Sequence, residues 1–141
     1  MNMNRSRHTL SAEATRMRSF STFADYTDEQ LERIASAGHH STIPSGWPLI
    51  HEQTPSDACY VILSGELAVY YGREQVATLT PGDIVGEAVM QPGKLRSATV
   101  AAVGPVDLLN IPKDDFTQLL NDVPPLLGTV EASASRHTTH A

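Results

Sequence analysis

Three things are scarce in this sequence: cysteine, long apolar runs, and positive charge outside the first residues. Cys59 is the single cysteine among 141 residues, which excludes an internal disulfide, and its place in the apolar run 58–63 predicts a buried thiol. No apolar run approaches the roughly 20 residues that span a bilayer, and residues 1–20 lack the apolar segment of a secretory signal. These absences favour a cytoplasmic protein that does not insert into a membrane.

Positive charge is concentrated in the N-terminal segment. Residues 1–18 carry four arginines against Glu13, a net charge of +3, whereas residues 19–141 carry a net charge of −9. Because an acidic body repels nucleic-acid phosphates, we expect no nucleic acid among the partners. We expect residues 1–18 to form a solvated basic arm, residues 19–136 the folded domain, and residues 137–141 a tail.

Glycine and proline are missing from both ends of the chain. All nine glycines and all nine prolines lie between Gly38 and Gly128. Because these residues punctuate strands and break helices, their distribution predicts a module of short strands with helical ends. The apolar fraction of 40% is enough to build a core, and the chain length fits one domain.

Helix signals stand at both ends of the chain. Thr27 and Gln30 match a capping box, apolar residues follow at helical spacing, and Gly38 is a stop signal, so a helix is predicted between Thr27 and Gly38. Further helices are predicted over 113–121 and from 126 to about 135, the latter after a pair of prolines.

Between these helices, apolar and polar residues alternate with period two. Such short alternating runs, separated by turn residues, predict strands that build a sandwich or rolled barrel. The predicted strands are 40–43, 49–52, 58–64, 66–71, 75–79, 83–85, 96–102 and 106–111.

The last strand but one places a charge on an apolar face. Arg96 has the same parity as Ala98, Val100 and Ala102, and alternate side chains of a strand point to one side of its sheet. If that side is the core, Arg96 is a buried cation that keeps its proton. A buried guanidinium needs an anionic partner, since leaving it unpaired costs several kcal/mol.

Two anions could meet Arg96: the carboxylate of Glu87, or a ligand from outside the chain. The local backbone favours the ligand. Gly86 permits another group to approach closely, and residues 88–90 fit a helical turn whose free N–H groups point at an anion. A guanidinium opposite a row of backbone donors is typical of a phosphate site.

These residues resemble the phosphate-binding cassette of the cyclic nucleotide-binding domain, a module shared by bacterial catabolite activators, protein kinase A regulatory subunits and cyclic-nucleotide-gated channels. The resemblance is carried by Val85-Gly86-Glu87-Ala88-Val89 and by Arg96-Ser97-Ala98. Residues 60–67 and 81–83 also match, and the likeness covers about residues 20–130. It implies a mainly β fold with flanking helices, in which eight strands form a jelly-roll (double-stranded β-helix) barrel.

The resemblance also implies roles for the cassette residues. Arg96 pairs with the phosphate, the backbone amides near Ala88 and Val89 share that anion, and Glu87 accepts a hydrogen bond from the ribose 2′-hydroxyl. Ser97 favours cAMP over cGMP as the ligand.

The wall and the lid of the pocket are less sharply defined. Val69 and Val85 are candidates for the wall. In the family a C-terminal helix covers the base, and Leu126, Leu127 and Val130 are the apolar candidates there. The sequence gives no basis for choosing among these three.

The prediction is therefore a regulatory module that binds a cyclic nucleotide, changes conformation and signals to an unidentified effector protein in the bacterial cytoplasm. We expect no enzymatic activity, no bound metal and no contact with nucleic acid or membrane, while a homodimer is compatible with the family. The residues after Asn121 are too few for a helix-turn-helix module, so no DNA-binding domain is expected.

Two alternatives stay open. One is a domain of the same fold that no longer binds a nucleotide and serves in docking or dimerisation, although the intact Glu87 and Arg96 argue against it. The other is a metal enzyme of the cupin type. Its strands would carry inward histidines at fixed offsets, whereas the adjacent His39 and His40 point to opposite faces.

Overall fold

The computed structural model of the protein describes residues 10–50, 58–85 and 98–138. Within these ranges the chain runs from helices through eight strands and back to helices. The helices are α1 (Ala12–Arg18), a 3₁₀ turn (Ser21–Phe23), α2 (Asp28–Ala37), α3 (Lys113–Asp122) and α4 (Pro125–Thr138). The strands are β1 (His39–Ile43), β2 (Pro48–Ile50), β3 (Ala58–Ser64), β4 (Leu67–Tyr71), β5 (Glu74–Leu79), β6 (Ile84–Val85), β7 (Thr99–Ala102) and β8 (Val106–Pro112).

The eight strands form two antiparallel sheets of four. Sheet 1 has the order β1-β8-β3-β6, and sheet 2 has the order β2-β7-β4-β5. The predicted mainly β architecture with flanking helices is confirmed. No pairing among the described strands joins the two sheets. The described strands therefore show two antiparallel sheets, and the closed eight-stranded barrel that the resemblance implies stays a prediction.

The helix α2 begins at the predicted capping box. The Thr27 hydroxyl accepts a hydrogen bond from the Gln30 amide at 3.0 Å, and the Gln30 side chain accepts one from the Thr27 amide at 2.9 Å. The helix ends at Gly38, whose φ of −118° is extended. A Cβ there would lie 2.7 Å from the Leu109 side chain, so this position requires glycine for close packing on β8 rather than for a left-handed conformation.

The helix α1 differs from the expected solvated arm. Ser11 caps it by accepting a hydrogen bond from the Ala14 amide, and Ala14 and Met17 are fully buried. Residues 12–18 therefore pack onto the domain, and Arg16 and Arg18 form ion pairs with Asp107 at 3.6 Å and Asp28 at 2.7 Å. No helix formed by the described residues is long and apolar enough to cross a membrane.

The buried residues form two apolar layers. The inter-sheet core joins side chains from β2, β3, β4, β5, β7 and β8, and the helical core joins all four helices to one face of sheet 1. The strand β3 serves both layers because its side chains alternate: Tyr60 and Ile62 enter the inter-sheet core, whereas Cys59 and Val61 enter the helical core. Cys59 is completely buried, as predicted.

Candidate functional site

Most of the predicted binding residues lie outside the described part of the chain. These are Gly86, Glu87, Ala88, Val89, Arg96 and Ser97. Their geometry stays a prediction, and the structure reports on the two ends of the segment 86–97 and on the core beside it.

The segment 86–97 starts in one sheet and ends in the other. On its N-terminal side, Val85 of β6 pairs with Tyr60 in sheet 1. On its C-terminal side, Val100 of β7 pairs with Val69 in sheet 2. The residues that flank this segment therefore belong to different sheets.

The side chains of β7 that point inward are those that the sequence predicts. Val100 and Ala102 are buried in the inter-sheet core, and Ala98 packs against it. These are the three residues that share the parity of Arg96. Val100, Ala102 and the partly buried Ala98 thus share the inward side that parity predicts, whereas Arg96 lies outside the described residues.

The two candidates for the pocket wall belong to this same core. Val69 is buried, and Val85 is partly buried against the inter-sheet core. The preceding residue, Ile84, points instead into the helical core. The structure thus brings Val69 and Val85 into one apolar cluster, while their contact with a ligand stays a prediction.

The turn that leads into β6 is fixed from two sides. The Asp83 carboxylate accepts a hydrogen bond from the Thr80 amide at 2.8 Å, and the Gly82 amide donates to the Ile62 carbonyl at 2.9 Å. Gly82 has a φ of +96°, and a Cβ there would lie 3.2 Å from the Phe20 side chain. The turn therefore needs glycine for conformation and for space, which explains the Pro81-Gly82-Asp83 motif structurally.

The three lid candidates on α4 face different ways. Leu126 and Val130 are buried in the helical core, whereas 42% of the Leu127 surface is exposed. In this conformation, Leu126 and Val130 therefore pack away from the inter-sheet core, and Leu127 packs in neither layer.

Sequence reasoning missed Ser133, the only buried polar side chain among the residues that the structure describes. Its hydroxyl donates to the Ile84 carbonyl at 2.7 Å and accepts from the Ile84 amide at 3.3 Å. A signal was present, because Ser133 continues the helical spacing of Leu126 and Val130. A serine on the apolar face of a helix indicates that a buried hydrogen-bond partner faces it.

A second hydrogen bond anchors α4 near its start. The hydroxyl groups of Tyr26 and Thr129 are hydrogen-bonded to each other. Burial raises the pKa of Tyr26, and the hydrogen bond between Tyr26 and Thr129 opposes that effect only in part. The phenol is therefore neutral at physiological pH and pairs with Thr129 without a charge.

The metal alternative would use His40 as a ligand, but in the structure His40 lies beside a carboxylate. The Asp107 carboxylate accepts hydrogen bonds from Thr42 at 2.7 Å and from Ser64 at 3.0 Å, and His40 lies 3.4 Å from it. The hydrogen bond from Thr42 is the main cause of a lowered Asp107 pKa. The described residues contain no group of three side chains suited to a metal ion.

One protein-family model matches this chain. It is described as the cyclic nucleotide-binding domain, and it matches residues 41–123, more than half of the chain. The chain belongs to the cyclic nucleotide-binding domain family. The match includes the whole segment 86–97 and ends before α4, so Ser133 lies outside the part that defines the domain.

Known relatives agree with this membership. The cAMP-activated global transcriptional regulator CRP of Pasteurella multocida is 33% identical over 115 residues, which are 77% of this chain and 55% of that protein. An uncharacterized NTE family protein of Mycobacterium bovis is 30% identical over 123 residues, which are 86% of this chain and 21% of that protein. The chain thus spans only about a fifth to a half of these relatives.

A solved structure supports the same fold for the domain. PKAR CBD2 with bound Sp-2Cl-cAMPS superposes with a TM-score of 0.75 at 17% identity, and the superposition covers 90% of each chain. At this identity the agreement concerns the fold alone. It includes the two-sheet core into which the predicted wall residues point.

Proposed function

We propose that this cyclic nucleotide-binding domain binds cAMP in preference to cGMP and that binding changes a conformation that an effector protein recognises. The observation that carries the proposal is the inward face of β7, where Ala98, Val100 and Ala102 line the inter-sheet core. A guanidinium at Arg96 on that face needs an anion, and a family match over 41–123 indicates which anion to expect.

Each contact has a chemical role. The Arg96 fork binds the phosphate, backbone amides near Ala88 and Val89 share it, and Gly86 leaves room for the approach. Glu87 accepts a hydrogen bond from the ribose 2′-hydroxyl. Each charge-assisted hydrogen bond contributes about 1.5–3 kcal/mol, so a few of them reach the roughly −8.2 kcal/mol of a micromolar ligand.

The preference for cAMP rests on Ser97, with Val69 and Val85 as the apolar wall beside the base. Relatives support this choice of ligand. The Pasteurella multocida regulator is described as cAMP-activated, and the solved PKAR CBD2 holds a cAMP analogue. The proposal extends that ligand class to this chain.

The proposed output is a change in how firmly α4 is held against the domain, and the ligand can shift that equilibrium only by as much as it binds one state more tightly. We place the domain in the cytoplasm of a bacterium and assign it no catalytic residue, no metal and no nucleic-acid or membrane surface. Closure of the two sheets into a jelly-roll barrel, and a homodimer, belong to the same proposal.

Calorimetric titration with cAMP and cGMP tests the binding. The native chain is compared with Arg96→Leu and with a matched control, Arg73→Leu, which removes an exposed arginine from the turn between β4 and β5. We expect Arg96→Leu to raise the Kd for cAMP by about 100-fold or more, since it removes two charge-assisted hydrogen bonds. The control should stay within about twofold of native, because exposed charges contribute little.

Two outcomes contradict the proposal. If Arg96→Leu binds as well as the native chain, the assignment of the phosphate site to residues 86–97 is wrong. If the native chain gives neither heat nor a thermal shift at millimolar nucleotide, the binding function itself is wrong.

One observation favours the alternative function of docking without a nucleotide. Trp47 and Val103 are 58% and 56% exposed on neighbouring turns, which are joined by a hydrogen bond from the Ala102 amide to the Trp47 carbonyl at 2.9 Å. Exposed apolar pairs of this kind occur at contact surfaces. A change in the sedimentation of the ligand-free protein on Trp47→Ser, together with a native chain that binds neither cAMP nor cGMP, would support this alternative.

A further inference from the structure

The strand β6 forms the outer edge of sheet 1, and α4 covers that edge. Ile84 lies opposite Val61, and the Ile62 amide donates to the Asp83 carbonyl at 2.9 Å. In an antiparallel ladder, this pattern turns the N–H and C=O of Ile84 away from β3. Such backbone groups at a sheet edge are normally available to pair with another strand.

A single hydroxyl takes the place of that strand. Ser133 donates to the carbonyl of Ile84 and accepts from its amide, at 2.7 and 3.3 Å. Only 1% of Ser133 is exposed, so water does not substitute for it. Without the hydroxyl, both backbone groups of Ile84 would lose this buried partner.

The position of this contact links it to the binding segment. Ile84 is two residues before Gly86, where the segment 86–97 begins, and Ser133 lies well beyond the family match at 41–123. The contact therefore fixes the point at which the segment leaves sheet 1. Its neighbours on the same helix face, Leu126 and Val130, make only apolar contributions to the helical core.

We propose that Ser133 is a positioning residue for the cyclic nucleotide: it holds Ile84 and thereby orients the segment 86–97 for binding. This inference rests on the proposed function. A segment held in its binding geometry before the ligand arrives loses less entropy on binding. Because linkage is reciprocal, nucleotide binding must in turn stabilise the contact between α4 and β6.

Two pairs of variants isolate the hydroxyl. Ser133→Ala removes it and leaves a smaller side chain. Ser133→Thr and Ser133→Val have the same shape, and only the first keeps the hydroxyl, so any crowding cancels in their comparison. Thr129→Val is the control, because it removes the other hydrogen bond of α4 to the domain without touching β6.

Calorimetry with cAMP, at a temperature where circular dichroism shows every variant folded, gives the decisive numbers. We expect the Kd to rise about tenfold in Ser133→Ala, a change of about 1.4 kcal/mol, and to be similarly higher in Ser133→Val than in Ser133→Thr. Thr129→Val should bind within about twofold of native. A purely structural role for Ser133 would lower the melting temperature and leave these Kd values unchanged.

Hydrogen exchange on the native chain adds a test that needs no variant. Saturating cAMP should slow exchange of the Ile84 amide and of the α4 amides. Unchanged exchange at Ile84 with bound nucleotide, or equal affinities within the Thr and Val pair, overturns the positioning role. A native chain that binds no nucleotide overturns the proposed function instead, so the two failures are distinguishable.

Discussion

The two apolar layers of this domain share the strand β3 and differ in how they are bounded. The helical core contains the large aromatic side chains Phe23 and Phe116 and is covered by all four helices. The inter-sheet core is mainly aliphatic, and the segment 86–97 connects the strands on either side of it. The difference separates a layer that supports the fold from the layer to which the proposed function assigns the ligand.

The largest effect is expected when one buried valine in each layer is replaced by alanine. Val61→Ala and Val69→Ala remove the same atoms from buried sites, and each should lower the free energy of unfolding by about 2 kcal/mol. Only Val69→Ala should also weaken cAMP binding, by several-fold, because Val69 belongs to the proposed wall. Urea unfolding and calorimetry measure the two quantities.

Equal losses of affinity in both valine variants would show that the two layers are not functionally distinct. An unchanged affinity in both would remove Val69 from the wall.

A smaller effect is expected at the turn that joins the two layers. Gly82→Ala adds a side chain at a φ of +96° and against Phe20 of the helical layer, whereas Gly46→Ala meets a similar φ of +81° with nothing within 4 Å. Each should lose roughly 1 kcal/mol from the backbone alone, and Gly82→Ala should lose more from crowding. Thermal unfolding of both variants measures the difference, and equal melting temperatures would show that Phe20 gives way without cost.

The smallest effect concerns the polar cluster around Asp107. Its hydrogen bonds, chiefly with Thr42, hold the Asp107 pKa below its ordinary value of 3.8. A carboxylate with a lowered pKa in the folded state stabilises the protein above the unfolded value, and that stabilisation is lost as the pH falls through the folded pKa. Between about pH 5 and about pH 3, the native chain should therefore lose more stability than Asp107→Asn.

Chemical unfolding across that pH range is the measurement. Parallel curves for the native chain and Asp107→Asn would mean that the cluster does not hold the carboxylate in its charged form.

Much of this fold was predictable because its signals are local. The capping box of Thr27 and Gln30 and the period-two strands depend on residues close in sequence. The parity of Ala98, Val100 and Ala102 predicted their common inward face in the same way. The family resemblance is confirmed by the family match over residues 41–123.

The remaining features depend on distant contacts. The helix α1 was missed because its arginines outweigh the two apolar residues, Ala14 and Met17, that anchor it. Gly38 predicted the helix end, but its reason is the packing of Leu109, which is 71 positions away in the sequence. Ser133 was missed because its partner is the backbone of Ile84: the place of the serine on the apolar face of α4 signals a buried partner but does not identify it.

The order of strands in the two sheets has a consequence for how the chain folds during synthesis. In sheet 1, β1 pairs with β8, with His39 opposite Asn110, and in sheet 2, β2 pairs with β7. The strands β1 and β2 therefore stay unpaired until β8 and β7 have been synthesised. Closing the long loops between these partners slows folding. A ribosome has to release the chain as far as Ala102 before sheet 2 is complete and as far as Pro112 before sheet 1 is complete, so the space between the sheets cannot form early in synthesis.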